Sequence, residues 1–265
     1  MITLFCVTML ALLKAGHFGP SVTVTAVGFA LSLTTDRPLW LSGVLAAAVF
    51  TGQLSIGWSN DWIDHPRDVA IGRSDKPIAI GGIGRRFVGV AALVALGCCV
   101  PLSLAASTTG WLHLIAVGWG WWYNAHGKST ILSVLPYVVA FGLLVLFAIP
   151  DAPWWMVAAG AVLGGAAHFA NVLPDLADDA ATGVRGLPHR IGRRPSTVGT
   201  VVLLATAAGL LLARLDFRWA MLTVSVTLLG AAAVAVSRSR SRFFLLVQLV
   251  ALINVMMLLS VAFGA

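Results

Sequence analysis

The sequence predicts an all-α membrane protein with nine spanning helices, and three observations carry that prediction. Of its 265 residues, 59% are hydrophobic and 10% charged, with a mean hydropathy of +0.93. Apolar segments long enough to cross a bilayer recur along the chain between short polar breaks. The basic residues concentrate in alternate breaks. A soluble fold of this size could not hide so much apolar surface, so residues 1–265 read as one integral membrane domain. The net charge of +7 is not a nucleic-acid signature, because the basic residues lie in separate loops and form no continuous stripe.

Residues 1–13 are apolar but short; as a helix they cover roughly 20 Å against a hydrocarbon core of about 30 Å. They lack a positive leading region, so they read as an interfacial lead-in ending near Lys14 and Gly16 rather than a cleaved signal peptide. Spans follow at 17–35, 39–58, 87–106, 108–123, 130–149, 154–171, 196–213, 219–236 and 243–263. The fourth is the shortest and rich in Trp. Pro136 falls inside the fifth, where packed neighbours tolerate a kink. Ser, Gly and Ala are frequent within the spans, which suits close helix packing in lipid. Cys6, Cys98 and Cys99 lie in apolar segments; the odd count and the adjacent pair predict buried, reduced thiols rather than a disulfide framework.

Charge sets the orientation. Fourteen of the seventeen basic residues lie at the N-terminus or in the loops after the second, fourth, sixth and eighth spans. Only Arg37, Arg214 and Arg218 lie on the other side. The positive-inside rule therefore predicts a cytoplasmic N-terminus in a plasma membrane and, with nine spans, an outside C-terminus. Trp40, Trp111, Trp154, Trp155 and Trp219 at the charge-poor ends, and Trp58, Trp62, Trp121 and Trp122 at the other, fit two interface belts.

The chain has no Glu, and seven of its ten Asp residues fall in two stretches. The first is Asn60-Asp61-Trp62-Ile63-Asp64-His65-Pro66-Arg67-Asp68, with Asp75 just beyond; the second is Asp175-Leu176-Ala177-Asp178-Asp179. Both fall on the side predicted to be cytoplasmic, and acids next to a bilayer are costly and mark function. If the second helix continues into the first stretch, Asp61, Asp64 and Asp68 share one face, with Asn60 one turn before Asp64. Asp175 and Asp179 are spaced i, i+4, with Asn171 one turn earlier and Asp178 to the side. Several oxygen ligands pointing one way suit Mg²⁺, which takes one or two carboxylates plus waters and substrate phosphates. Two such sites suit a departing pyrophosphate.

Arg67, Arg73, Lys76, Lys128 and Arg185 lie in the same loops and offer donors for phosphate oxygens. Tyr123 offers a π face to a cation, or serves equally as an interface aromatic. Loop Asp residues beside Arg are often only solvated pairs worth under about 1 kcal/mol. Two Asn-preceded, helically spaced clusters on one side favour the metal reading. His65, His113, His126, His168 and His189 show no metal-ligand spacing and read as structural. Asp151 and Asp216 fall on the opposite side and read as solvated loop residues.

These residues resemble the signatures of the UbiA-type intramembrane prenyltransferases. Asn60-Asp61-x-x-Asp64-x-x-x-Asp68, with Arg73 and Lys76-Pro77-Ile78-Ala79-Ile80-Gly81, is similar to the first. Asn171-Val-Leu-Pro-Asp175-Leu-Ala-Asp178-Asp179 and the segment Gly183-Val-Arg-Gly-Leu-Pro188-His-Arg-Ile-Gly192 resemble the second. Tyr123-Asn124-x-x-x-Lys128 resembles a Tyr/Lys element, with one residue more than its usual spacing. Lys14 stands where an Arg often precedes the first helix. The resemblance implies a nine-helix bundle around a central cavity with its active-site loops cytoplasmic. It implies Mg²⁺-dependent ionisation of an isoprenyl diphosphate, with the allylic cation captured by a lipophilic, typically aromatic, acceptor. Carried onto this chain, Asn60, Asp64, Asp68, Asp175 and Asp179 ligate metal, and Asp61 assists. Arg67, Arg73 and Lys128 grip the diphosphate, Tyr123 lies near the cation, and Asn171 and Asp178 support the ligands. No nucleic acid or obligate protein partner is implied.

The alternative within the same superfamily is a membrane terpene cyclase, which ionises the same substrate and quenches the cation without an acceptor. A CDP-alcohol phosphotransferase would need a DG-x-x-AR arrangement that the sequence lacks. A transporter would show broken or charged helices at mid-membrane and an internal repeat, and neither is evident.

Overall fold

The computed structural model describes residues 9, 11–12, 15–16, 18–74, 76–214 and 252–260, with the side chain of Asp178 excepted. Among these residues every regular element is helical. The helices are α1 (Phe18–Ser32), α2 (Leu39–Ala70), α3 (Arg85–Ala106), α4 (Gly110–Ala125), α5 (Leu135–Ala148), α6 (Trp154–Val172), α7 (Leu176–Ala181), α8 (Leu187–Ile191) and α9 (Arg193–Leu212). A short 3₁₀ turn covers Gly127–Ser129, and residues 252–260 are helical. The expected spans through 213 each coincide with one of these helices. The eighth lies outside the described residues, as does much of the ninth.

Among the described residues, four helices are long and apolar enough to cross a membrane: α2, α3, α6 and α9. α3 turns apolar side chains outward as well as inward. On α3 the exposed positions include Phe87, Val90, Leu93, Val94 and Leu104, while Ser103 on the same helix is fully buried. Buried and outward hydroxyls alike turn back on their own helices: Thr25 donates to the Ser21 carbonyl at 2.7 Å and Thr200 to the Ser196 carbonyl at 3.0 Å. Such back-bonding satisfies a hydroxyl where no water is present. The chain is an integral membrane protein.

Two sequence expectations change here. Pro136 does not kink the fifth helix; it occupies the first turn of α5, where its missing N–H costs nothing. Cys98 is exposed rather than buried, while Cys99 is buried. Adjacent helical residues point about 100° apart, so only one of the pair can face α2.

The described residues cluster into two compact units, Met1–His126 and Gly127–Ala265. In the first, α2 is the central element and packs on α1, α3 and α4. Its core joins Leu54 and Trp58 of α2 to Val88, Ala92 and Ala95 of α3 and to Ile78 and Ile83 of the connecting loop. The lead-in also docks on α2. The Trp58 indole N–H donates to the Leu12 carbonyl at 2.9 Å, and a Cβ at Gly57 would stand 2.5 Å from the Gly16 carbonyl oxygen. At the opposite end of α3, a Cβ on Gly110 would meet the Ser103 carbonyl oxygen, so only glycine lets α4 start there.

In the second unit, α6 packs on α5 and α9. Leu163, Ala166, Ala170 and Leu173 meet Leu204 and Ala207, with Val255 against them. Gly164 lets α5 approach closely, since a Cβ there would lie 2.3 Å from the Tyr137 carbonyl oxygen. Small residues at such crossings are the usual device for helix association in lipid.

Candidate active site

The first acidic motif is built on an unbroken helix. α2 runs 32 residues, from the apolar Leu39 end through Ala70, so its last turns carry the motif in helical register. Asp61, Asp64 and Asp68 are all buried. The Lys76 ammonium donates to Asp61 Oδ1, and Arg67 donates to Asp64 Oδ2 at 3.0 Å. Arg67 Nε also stands 3.9 Å from Asp68 Oδ1, while Asp68 Oδ2 has no hydrogen-bond partner. The Arg73 backbone N–H donates to the Asp68 carbonyl at 3.0 Å, which starts the loop directly from the motif. Glycines at positive φ, Gly72 (67°) and Gly81 (75°), turn that loop so that Ile78 and Ile83 enter the core and Lys76 returns to Asp61.

Hydrogen bonds from three side chains fix the helix around the motif. Trp121 of α4 donates to Ser55 Oγ at 2.9 Å. Asn124 donates to the Ile56 carbonyl and to Ser59 Oγ, both at 2.8 Å, one turn ahead of Asn60. Pro66 lies inside α2 and has no N–H for the Trp62 carbonyl; Arg85, the first residue of α3, donates its Nε–H there at 3.2 Å. Asn60 is half-buried within the helix, and Tyr123 is half-buried on α4 between the contacting Trp121 and Asn124.

The second motif is built differently, and it departs from the expected single helix. α6 ends at Val172, residues 173–175 form a turn, and α7 begins at Leu176 with Asp175 at its N-cap position. Pro174 explains the break, because proline disfavours a continuing helix. Asn171 therefore belongs to a different helix from Asp179, and its amide donates to the Tyr137 hydroxyl at 3.3 Å. Asp175 is exposed and Asp179 half-buried. The Asp179 N–H donates to the Asp175 carbonyl at 2.9 Å, and the Asp179 carbonyl accepts from Val184 N–H at 3.0 Å. Arg193 caps the end of α6 by donating to the Leu173 carbonyl at 3.2 Å.

Sequence reasoning missed His189. Its Nε2 lies 3.6 Å from Asp179 Oδ2, electrostatic contact but longer than a hydrogen bond. Burial lowers its pKa from the ordinary imidazole value, and Asp179 opposes that shift. A ten-residue separation across a loop leaves no periodic signal for such a pair. Lys76, one basic residue among several in the sequence, is singled out by its contact with Asp61. Lys128 is half-buried in the 3₁₀ turn and Arg185 is exposed. Asp75, Lys14 and the Asp178 side chain lie outside the described residues.

The donor set fits magnesium. The ligands available are hard carboxylate oxygens, and one of them, Asp68 Oδ2, is buried without a partner. Among the described residues no three His, Cys or Asp side chains converge tightly enough to hold a metal ion by themselves. One or two carboxylates from a motif, completed by waters and phosphate oxygens, is the coordination Mg²⁺ adopts.

The described fold is one of membrane-length apolar helices with acidic motifs at helix ends, the first with cations set against it. The model of the UbiA prenyltransferase family matches residues 21–262, and the chain belongs to that family. No curated protein matches it. Among solved structures it is similar to a UbiA homolog from Archaeoglobus fulgidus bound to GPP and Mg²⁺, at 14% identity and TM-score 0.72, covering 96% of this chain and 100% of that one. It is similar to the apo UbiA homolog of Aeropyrum pernix K1, at 17% identity and TM-score 0.74, covering 90% and 96%. A structure of digeranylgeranylglyceryl phosphate synthase matches at 16% identity and TM-score 0.70, covering 97% and 99%.

Proposed function

We propose that this protein transfers an isoprenyl group from an isoprenyl diphosphate to a small lipophilic, aromatic acceptor. The observation that carries the proposal is the row of buried carboxylates on α2 with cations already set against it. The A. fulgidus relatives, bound to GPP or DMAPP with Mg²⁺, support the same donor class and metal here. Asn60, Asp64, Asp68, Asp175 and Asp179 hold Mg²⁺ and, through it, the diphosphate. Bound there, the metal neutralises phosphate charge and stabilises the leaving pyrophosphate.

The chain's own groups do the rest. Arg67, Arg73 and Lys128 hold diphosphate oxygens, and Asp61 keeps Lys76 at the motif. The allylic C–O bond breaks, and its electron pair leaves with pyrophosphate. The π face of Tyr123 stabilises the cation, the acceptor's nucleophilic atom forms the new bond, and the acceptor loses a proton. We further infer that the chain is a single catalytic domain of nine spans. Its N-terminus and both motifs lie at the cytoplasmic face of the plasma membrane, with no obligate protein partner. Cysteine labels at Ser74 should then be protected from outside reagents and labels at Ala152 should react; the reverse pattern rejects that topology.

The activity test measures pyrophosphate release by the purified protein with Mg²⁺ and C10, C15 or C20 allylic diphosphates, with and without phenolic and quinonoid acceptors. Acceptor-dependent release with a prenylated product supports the transferase. Release without acceptor, giving a cyclic hydrocarbon or alcohol, makes the protein a cyclase. No release from any donor rejects the assignment.

A further inference from the structure

A second polar assembly lies in the unit of the second acidic motif, and the residues already assigned do not account for it. Ser133, in the turn before α5, and His168, on α6, are both fully buried. Ser133 Oγ accepts the Leu187 backbone N–H at 2.9 Å and stands 3.1 Å from His168 Nε2. With one lone pair given to Leu187, the hydroxyl keeps a proton and a second lone pair, so it can pair with either tautomer of His168. The His168 ring lies against Tyr137, their centroids 5.1 Å apart, and Tyr137 in turn receives the Asn171 amide.

The clasp controls a specific stretch of chain. Arg185 is bracketed by two ties: Val184 N–H on the Asp179 carbonyl on one side, and Leu187 N–H on Ser133 on the other. Between Arg185 and Leu187, Gly186 presses on the 3₁₀ turn. A Cβ there would stand 2.6 Å from the Lys128 carbonyl oxygen and 2.8 Å from Ser133 Oγ. One hydroxyl and one imidazole thus hold the Arg185 segment against the Lys128 turn and tie both to the helix that leads into Asp175.

We propose that Ser133 and His168 are positioning residues that hold Arg185 and Lys128 in register with Asp175 and Asp179 for a magnesium-bound diphosphate. The inference rests on the proposed function for the identity of the ligand. A purely structural role is the competing account, and the first unit supplies its control. Ser103 and His113 form an equally buried hydroxyl–imidazole pair, 2.8 Å apart, between the last turn of α3 and the first turn of α4, at the end of α3 away from the Lys76 loop.

The experiment compares purified Ser133→Ala, His168→Leu, His168→Gln and Ser103→Ala with the unaltered protein. It reads thermal stability, hydrogen exchange over residues 182–187, binding of magnesium pyrophosphate, and KM against kcat for the allylic diphosphate. Ser133→Ala and His168→Leu should weaken pyrophosphate binding and raise KM by about tenfold, the scale on which supporting partners of metal ligands act. They should speed exchange at Leu187 and leave kcat within about twofold, well below that effect. His168→Gln, whose terminal amide can replace Nε2 as either acceptor or donor, should recover most of the binding. Ser103→Ala should lose comparable stability with KM unchanged. Equal KM in Ser133→Ala and Ser103→Ala, or equal losses in the Leu and Gln variants, overturns the inference. If Ser133→Ala does not fold, the His168 pair decides alone. An unaltered protein that neither binds magnesium pyrophosphate nor turns over any donor rejects the proposed function instead, and the positioning role with it.

Discussion

In the first acidic motif the carboxylates hang from one unbroken 32-residue helix; in the second they straddle a break at Pro174. The helix buries Asp61, Asp64 and Asp68 and meets their charge with Lys76 and Arg67, both from the same unit. The second motif leaves Asp175 exposed and arranges Asp179 through backbone bonds from its own turn. The same side chain is therefore presented from two different supports. A buried row is held rigidly and favours nearby counter-ions or protonation, since an uncompensated buried charge is costly. An exposed turn needs none, but its geometry must be imposed from outside, and here the Ser133–His168 clasp does so.

The largest expected effect tests whether both supports serve one reaction. Asp64→Asn and Asp175→Asn should each lower turnover by more than about 10²-fold, because even the supporting partners of metal ligands cost 10–100-fold. Both proteins should remain folded in detergent. Full activity in either purified variant would detach that motif from catalysis. Chelation of divalent metal should give the same loss, reversed by adding Mg²⁺ back.

Next come the two glycines on which the supports rest. Gly57→Ala drives a methyl into the Gly16 backbone and Gly186→Ala drives one into the Lys128 turn. Each should cost about 1–3 kcal/mol, the usual penalty of overpacking. Thermal unfolding in detergent reads that loss. Gly186→Ala should also raise the KM for diphosphate, whereas Gly57→Ala should act on stability first. Identical KM values would remove the distinction between a preformed site and an imposed one.

The smallest effect concerns the counter-ion. Lys76→Met removes a cation beside the carboxylates assigned to Mg²⁺, so the Mg²⁺ concentration for half-maximal activity should fall about threefold, a shift of roughly 0.7 kcal/mol. A rise instead would mean that Lys76 contributes more by holding the loop than by competing.

Most of the described helices were legible because a bilayer imposes a coarse rule, long apolar runs between short polar breaks. The first motif was legible because its spacing of three and four residues is the helix's own period, and α2 does continue through it. The second was legible as chemistry but not as backbone. The spacing of Asn171, Asp175 and Asp179 imitates a helix that Pro174 interrupts, and the proline was on the page as the warning. Lys76–Asp61, His189–Asp179 and Ser133–His168 join residues 15, 10 and 35 positions apart across turns. No periodicity encodes such contacts; they exist only once loops have closed.

Pro66 carries a consequence for anyone who would strengthen this protein. The proline leaves the Trp62 carbonyl without its in-helix donor, and Arg85 fills the vacancy from the next helix. Pro66→Ala would return that bond to α2 and could recover up to about 3 kcal/mol of helix stability. It would also make the Arg85 tether redundant, loosening the junction from which the Lys76 loop departs. A screen that rewards heat resistance alone would therefore select against the anchor, trading the tether at the acidic end of the helix for a sturdier rod.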